Sequence, residues 1–225
     1  MADIEEHTRR LAAESLSSDD PTGWFERLYA QAERGETAVP WDRGAPHQLL
    51  AEWSAGLRGE GRRALVVGCG YGADAEHLAG LGFRTDAFDV SATAVDGARR
   101  RFPGSPVHYA VADLLEPPGE RAGAYDLVVE SLTVQSLPDT LRGQAIAAVR
   151  RFVAPGGTLL VIASARGEGP VEGPPWPLTR AEVESFSGED LQAARIEAIP
   201  AEADPAVVRW RAEFRRSDRP ASSTS

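Results

Sequence analysis

The run Leu65-Val66-Val67-Gly68-Cys69-Gly70-Tyr71-Gly72 constrains this chain more than any other feature. An apolar stretch with no polar alternation reads as a strand buried on both faces. Three glycines then make a tight turn, and the helical pattern from Ala73 to Leu81 follows, closed by Gly82. At such a strand–turn–helix junction no Cβ keeps a nucleotide-like ligand from the backbone. The next apolar run ends at Asp89, about twenty residues after Gly68, a distance that suits a carboxylate gripping a ribose diol. Together these features predict an adenosine-containing cofactor.

Strand and helix patterns alternate around this junction. Strands are expected at Ala64–Gly68, Phe83–Val90, Val107–Ala112, Tyr125–Glu130 and Thr158–Ala165. Between them, Ser91 caps a helix running to about Phe102, and a long helix runs from Pro138 to Val153, ended by Pro155-Gly156-Gly157. Pro117-Pro118-Gly119 reads as a loop. The alternation predicts a parallel, doubly wound α/β sheet. Two further runs, Leu191–Ile199 and Val207–Phe214, read as a terminal pair of strands. Ahead of the sheet, Glu5–Leu16, Trp24–Arg34 and His47–Leu57 read as helices. A length of 225 residues suits one such domain with a full core.

Charge and cysteine content narrow the function. The net charge is −10, and all 24 basic residues are arginine. That balance disfavours nonspecific binding to nucleic acid or anionic membrane. The single Cys69 allows no internal disulfide and fits a reducing cytoplasm. No apolar run approaches the roughly 20 residues that span a bilayer. His7, His47, His77 and His108 are scattered, so no metal site is expected.

The glycine turn satisfies two patterns. Gly68-x-Gly70-x-x-Ala73 fits a loose dinucleotide fingerprint, and Gly68-x-Gly70-x-Gly72 fits the tighter turn of S-adenosylmethionine (SAM) enzymes. The surroundings favour the second. About sixty residues precede the turn, Val111-Ala112-Asp113-Leu114 closes the third strand with an acid, and Pro155-Gly156-Gly157 leads into the fifth. Over residues 60–165 this series resembles the class I SAM-dependent methyltransferases. The resemblance implies a Rossmann-like seven-stranded sheet of order 3-2-1-4-5-7-6, its last strand antiparallel, with helices on both faces. It also implies an N-terminal helical cap or lid over residues 1–58, a SAM-binding core over 60–216 and a disordered tail over 217–225. Gly68, Cys69, Gly70 and Gly72 would lie beneath the methionine part. Asp89 and Val90 would meet the ribose, and Ala112, Asp113 and Leu114 the adenine.

The segment from Trp24-Phe25 through Val39-Pro40-Trp41-Asp42-Arg43-Gly44 is similar to the cap of the thiopurine, thiol and halide methyltransferase group. That similarity implies that Trp41 closes over the cofactor and that a thiol is the leading acceptor. An oxygen or nitrogen of a phenolic or heteroaromatic metabolite is the alternative. A non-catalytic SAM binder and a nicotinamide-dependent oxidoreductase are further readings. The Asn/Asp-Pro-Pro-aromatic motif of nucleic-acid amino methyltransferases is absent after the fourth strand, so a small-molecule partner is expected. Glu130 and His47 are the candidate bases, with Glu130 also a possible cofactor contact. Trp24, Thr133, Gln135 and Trp176 are candidate substrate contacts, Trp176 as an aromatic wall in the loop after the fifth strand.

Overall fold

The computed structural model describes residues 2–116, 119–167, 171, 173–202 and 204–218. Strand β1 (Arg63–Val67) lies inside a seven-stranded sheet of order β3-β2-β1-β4-β5-β7-β6, the order that the resemblance implies. Its partners are β2 (Arg84–Asp89) and β4 (Tyr125–Ser131), both parallel, with β3 (His108–Val111) beyond β2. β5 (Val153–Ser164) pairs parallel with β4. β7 (Val208–Arg216) is antiparallel to both β5 and β6 (Leu191–Pro200).

The missing alternation in β1 has its explanation in two cores. Leu65 and Val67 join one apolar cluster, and Ala64 and Val66 join the other. The first cluster is covered by α6 (Asp139–Phe152) and α7 (Arg180–Glu184), through residues such as Val149, Phe152 and Val183. The second is covered by α3 (Gln48–Trp53), α4 (Ala73–Gly80) and α5 (Ala92–Arg101), through Leu50, Leu78 and Val95. Each such buried side chain contributes about 1.5–3 kcal/mol. A central strand therefore gains on both faces, whereas edge strand β6 is mostly exposed or half-exposed.

Three boundaries differ from expectation. α3 stops at Trp53 rather than Leu57, because Ser54 turns its hydroxyl back to Leu50 O at 2.7 Å and Gly56 adopts φ 81°. β5 begins directly at the end of α6. Pro155-Gly156-Gly157 forms a shift of register inside the strand, between the pairs Tyr125–Val153 and Leu127–Thr158. β7 continues past Phe214 to Arg216, and the Ser217 N–H still donates to Asp190 O at 2.8 Å. Pro117-Pro118 and most of the expected tail (219–225) lie outside the described residues.

The N-terminal segment adds a third layer. α1 (Ala2–Ser17) and α2 (Gly23–Glu33) meet through Leu11, Ala12, Trp24 and Leu28. α2 is fastened to α5 by Glu26, whose carboxylate accepts from Ser91 Oγ at 2.6 Å, Thr93 N at 3.1 Å and Thr93 Oγ1 at 2.5 Å. Asp42 is fastened to the other end of α5, accepting from both Nη atoms of Arg101 at 2.9 and 2.8 Å. No described helix is long and apolar enough to cross a membrane.

Candidate functional site

A cavity of about 550 Å³ opens at the carboxyl ends of β1 to β5, beneath the N-terminal segment. Parallel strands deliver their following loops to this one edge, which is where ligands bind in open α/β sheets. Gly68, Cys69, Gly70 and Gly72, which follow β1, line it. So do Asp89 and Val90 after β2, Ala112, Asp113 and Leu114 after β3, and Thr133 and Gln135 after β4. Trp24, Trp41 and His47 arrive from the N-terminal layer.

All three glycines hold positive φ, at 61°, 50° and 89°. Their need for a missing Cβ is internal to the protein. A Cβ on Gly68 would meet Thr133 Oγ1 at 2.3 Å, one on Gly70 the Tyr29 hydroxyl at 2.7 Å, and one on Gly72 the Tyr109 hydroxyl at 2.3 Å. Asp89 ties the turn to the next loop. Its Oδ2 accepts from Gly70 N at 2.9 Å and its Oδ1 from Ser91 N at 3.0 Å. Burial raises the Asp89 pKa against the pull of these N–H groups. Burial likewise pushes the Cys69 thiol well above its ordinary range, so it stays neutral in the turn.

The cap wall is aromatic. Trp24 is 1% exposed and stacks on Phe25 at 3.9 Å between centroids, so it serves the small core as well as the cavity. Trp41 donates through Nε1 to the Tyr29 hydroxyl at 2.9 Å. Phe25 and Tyr29, like Trp41, line the cavity. Sequence reasoning singled out neither Phe25 nor Tyr29 as a site residue. The signal was present in the spacing of Trp24, Phe25, Leu28 and Tyr29 on one helical face, but that spacing equally describes a core.

Three candidate residues sit differently from expectation. Glu130 is fully buried and is not among the cavity-lining residues. Its Oε1 turns back to accept from Thr133 N at 2.7 Å and Val134 N at 2.8 Å, under the short turn Val134–Ser136. His47 does line the cavity, but as the N-cap of α3 its Nδ1 accepts from Leu49 N at 3.2 Å. The neutral ring then carries its hydrogen on Nε2, a donor rather than a base. Burial, with the nearby Arg209 and Arg43, lowers its pKa to about 4. Trp176 is not on the cavity wall. Its ring packs on Gly173, its N–H donates to Gln135 O at 2.8 Å, and its carbonyl accepts from Arg142 at 3.1 Å. Pro174 and Pro175 occupy the wall in its place.

Residues 64–157 match the model of a family described as a methyltransferase domain. The matched residues 64–157 carry a methyltransferase domain. Among the curated relatives is a probable thiol methyltransferase 2 of Arabidopsis thaliana, 28% identical over 65% of this chain and 64% of the relative. The chain spans about half to two thirds of the length of the curated relatives it matches. A solved structure described for the conversion of a disulfide bond into a thioacetal group during echinomycin biosynthesis is 25% identical, with a TM-score of 0.68. The match covers 88% of this chain and 95% of that one. The N-methyltransferase NodS from Bradyrhizobium japonicum WM9, solved with S-adenosyl-L-homocysteine, is 26% identical, with a TM-score of 0.59 over 75% of this chain and 84% of its own.

Glu130 also has a consequence for stability. Burial raises its carboxyl pKa from 4.5 to about 7, against the opposing pull of the Val134 and Thr133 N–H groups. The folded chain therefore keeps a proton that the unfolded chain has lost. The resulting stabilisation is full below pH 4.5 and disappears as pH rises through 7, an amplitude of about 3 kcal/mol. Denaturant unfolding at pH 5 and pH 8 is expected to show this fall in the native chain. In Glu130→Gln the component should vanish, and an unchanged pH slope in that variant would refute the assignment.

Proposed function

We propose that this methyltransferase transfers the methyl group of SAM to the sulfur of a small thiol, and that the chain contributes positioning rather than proton removal. When bound, SAM supplies a methyl group made electrophilic by the positive sulfur that carries it. The cavity volume falls within the usual range for small-molecule sites, roughly 300–1,000 Å³. In this reading Gly68, Cys69, Gly70 and Gly72 pass beneath the methionine part, Asp89 and Val90 receive the ribose, and Ala112, Asp113 and Leu114 surround the adenine. Trp24, Phe25, Tyr29 and Trp41 bring four aromatic rings to the wall, surroundings that favour a cation and exclude water.

The observation that carries the sulfur reading is the state of the carboxylates on that wall. Asp42 is held by Arg101, Asp74 accepts from His47 N, Asp89 from Gly70 and Ser91, and Asp113 from Leu115 N. Glu5 pairs with Arg9. Each already serves a protein donor, which suits an acceptor that needs no base. A thiol of ordinary pKa near 8.5 is already a few per cent thiolate at pH 7. Two of the similarities concern sulfur as well: the thiol methyltransferase, and the structure described for disulfide-to-thioacetal conversion.

A second reading, transfer to oxygen or nitrogen, is favoured by Asp74. Burial raises its pKa, and it lies on the wall beside His47 and Ser131. Methyl transfer from labelled SAM to matched aromatic thiol and phenol acceptors separates the two. The thiol is expected to lead by at least about 30-fold in kcat/KM at pH 7, the ratio of anion fractions for an alkyl thiol of pKa near 8.5 and a phenol near 10, and an aryl thiol, being more acidic, widens that ratio. A phenol preference that disappears in Asp74→Asn would instead establish base catalysis.

A further inference from the structure

Two arginines of the cavity wall take no part in the function described so far. Arg209 stands at the start of β7, opposite Ser164 of β5, and Arg43 follows Trp41-Asp42 in the cap. The other arginines of β7 with cationic heads near acids are all paired. Arg211 holds Glu197 and Glu52, Arg215 holds Glu213, and Arg216 holds Asp190. Among the described residues, neither Arg43 nor Arg209 has an ion pair or side-chain hydrogen bond. Burial and the repulsion of Arg43 both lower the Arg209 pKa.

Holding two guanidinium groups together, one of them half-buried, costs free energy unless an anion joins them. That cost is unforced in a chain of net charge −10, where carboxylates are plentiful. His47 adds a third donor to the same wall, through the Nε2–H left by its bond to Leu49. Three donors without an acceptor among the described residues, two of them planar forks, suit a carboxylate.

The sheet order indicates which ligand brings it. Asp89 ends β2, and the route β2-β1-β4-β5-β7 to Arg209 crosses four strand spacings, about 19 Å. Arg209 thus lies across the cavity from the acids that suit an adenosine, beyond the turn after β1, and Arg43 is the charge that acts on it there. We infer that Arg43 and Arg209, with the Nε2–H of His47, form a carboxylate-binding subsite for the acceptor, so that the acceptor is an acid bearing the methylated atom elsewhere. This rests on the SAM-methyltransferase reading above.

The test compares 2-mercaptobenzoate with thiophenol as acceptors, using labelled SAM and the full chain. The native protein is expected to favour the carboxylated thiol by about 10-fold or more in kcat/KM, as a charge-assisted pair allows. Arg209→Met and Arg43→Met should each cut that ratio about 10-fold, mainly through KM, with SAM affinity within about 2-fold of native. Arg209→Lys should restore part of the ratio. Arg43 is exposed in a loop, so its variant keeps the test open if Arg209→Met does not fold. No preference in the native protein overturns the inference. A fall in SAM affinity that matches the fall in turnover also overturns it, assigning the arginines to the carboxylate of the cofactor. If neither thiol is methylated, calorimetric binding of 2-mercaptobenzoate to the S-adenosyl-L-homocysteine-loaded protein still decides. Binding lost in Arg209→Met supports the subsite while the sulfur reading fails, and binding unchanged in that variant refutes the subsite.

Discussion

Replacing Asp89 with alanine is expected to weaken SAM binding by at least about 100-fold and to cost about 2–6 kcal/mol of folding stability. Both effects follow from one carboxylate with two duties. Its oxygens accept from Gly70 N and Ser91 N, so removing it leaves two buried N–H groups without an acceptor. Each such loss costs about 1–3 kcal/mol. The binding loss follows from the lost charge and the slackened turn. Asp89→Asn separates the duties, because its single carbonyl oxygen can still serve one N–H. It should recover part of the stability and little of the affinity. Calorimetry with SAM, beside denaturant unfolding, reads both. Native affinity in a folded Asp89→Ala protein would sink the assignment of the ribose to this residue.

Arg142→Met is expected to destabilise the fold by about 3–5 kcal/mol. Arg142 is 3% exposed. Its Nε donates to Leu137 O at 3.1 Å, its Nη1 to Glu182 and to Asp139, the latter at 2.8 Å, and its Nη2 to Trp176 O at 3.1 Å. One planar head thus clamps the turn after β4 to the segment before α7. The thioether can fill the space of the stem but leaves two carbonyls and Oε1 of Glu182 without their donor. The segment it releases includes Pro174 and Pro175 on the cavity wall. The acceptor KM should therefore rise more than the SAM dissociation constant. Arg142→Lys keeps the charge without the fork and should recover only part of the loss. Unfolding curves and steady-state kinetics check the two halves separately, and native stability in Arg142→Met would remove the clamp from the account.

The strands were legible because they are short apolar runs bounded by glycine, proline or acid, and their order followed from the family resemblance those runs carry. Asp89 was legible because a fixed strand–helix–strand length separates it from the glycine turn. What stayed hidden depends on pairs far apart in the chain. Nothing near Arg209 in the sequence distinguishes it from Arg211, yet one has carboxylate partners and the other faces Arg43. Glu130 reads as a strand-end acid beside the cavity, but the backbone reverses so sharply at Leu132, with φ 63°, that its carboxylate caps the following turn. Trp176 reads as a wall, but backbone ties to Gln135 and Arg142 turn it aside.

The glycine turn carries one more consequence. Each of its three missing side chains would strike a residue of this same chain, namely Thr133, Tyr29 or Tyr109. Selection for folding alone would therefore preserve all three glycines in a descendant that had lost its chemistry. In this lineage the glycine signature marks ancestry, and drift at the wall residues is where a change of trade would first be written.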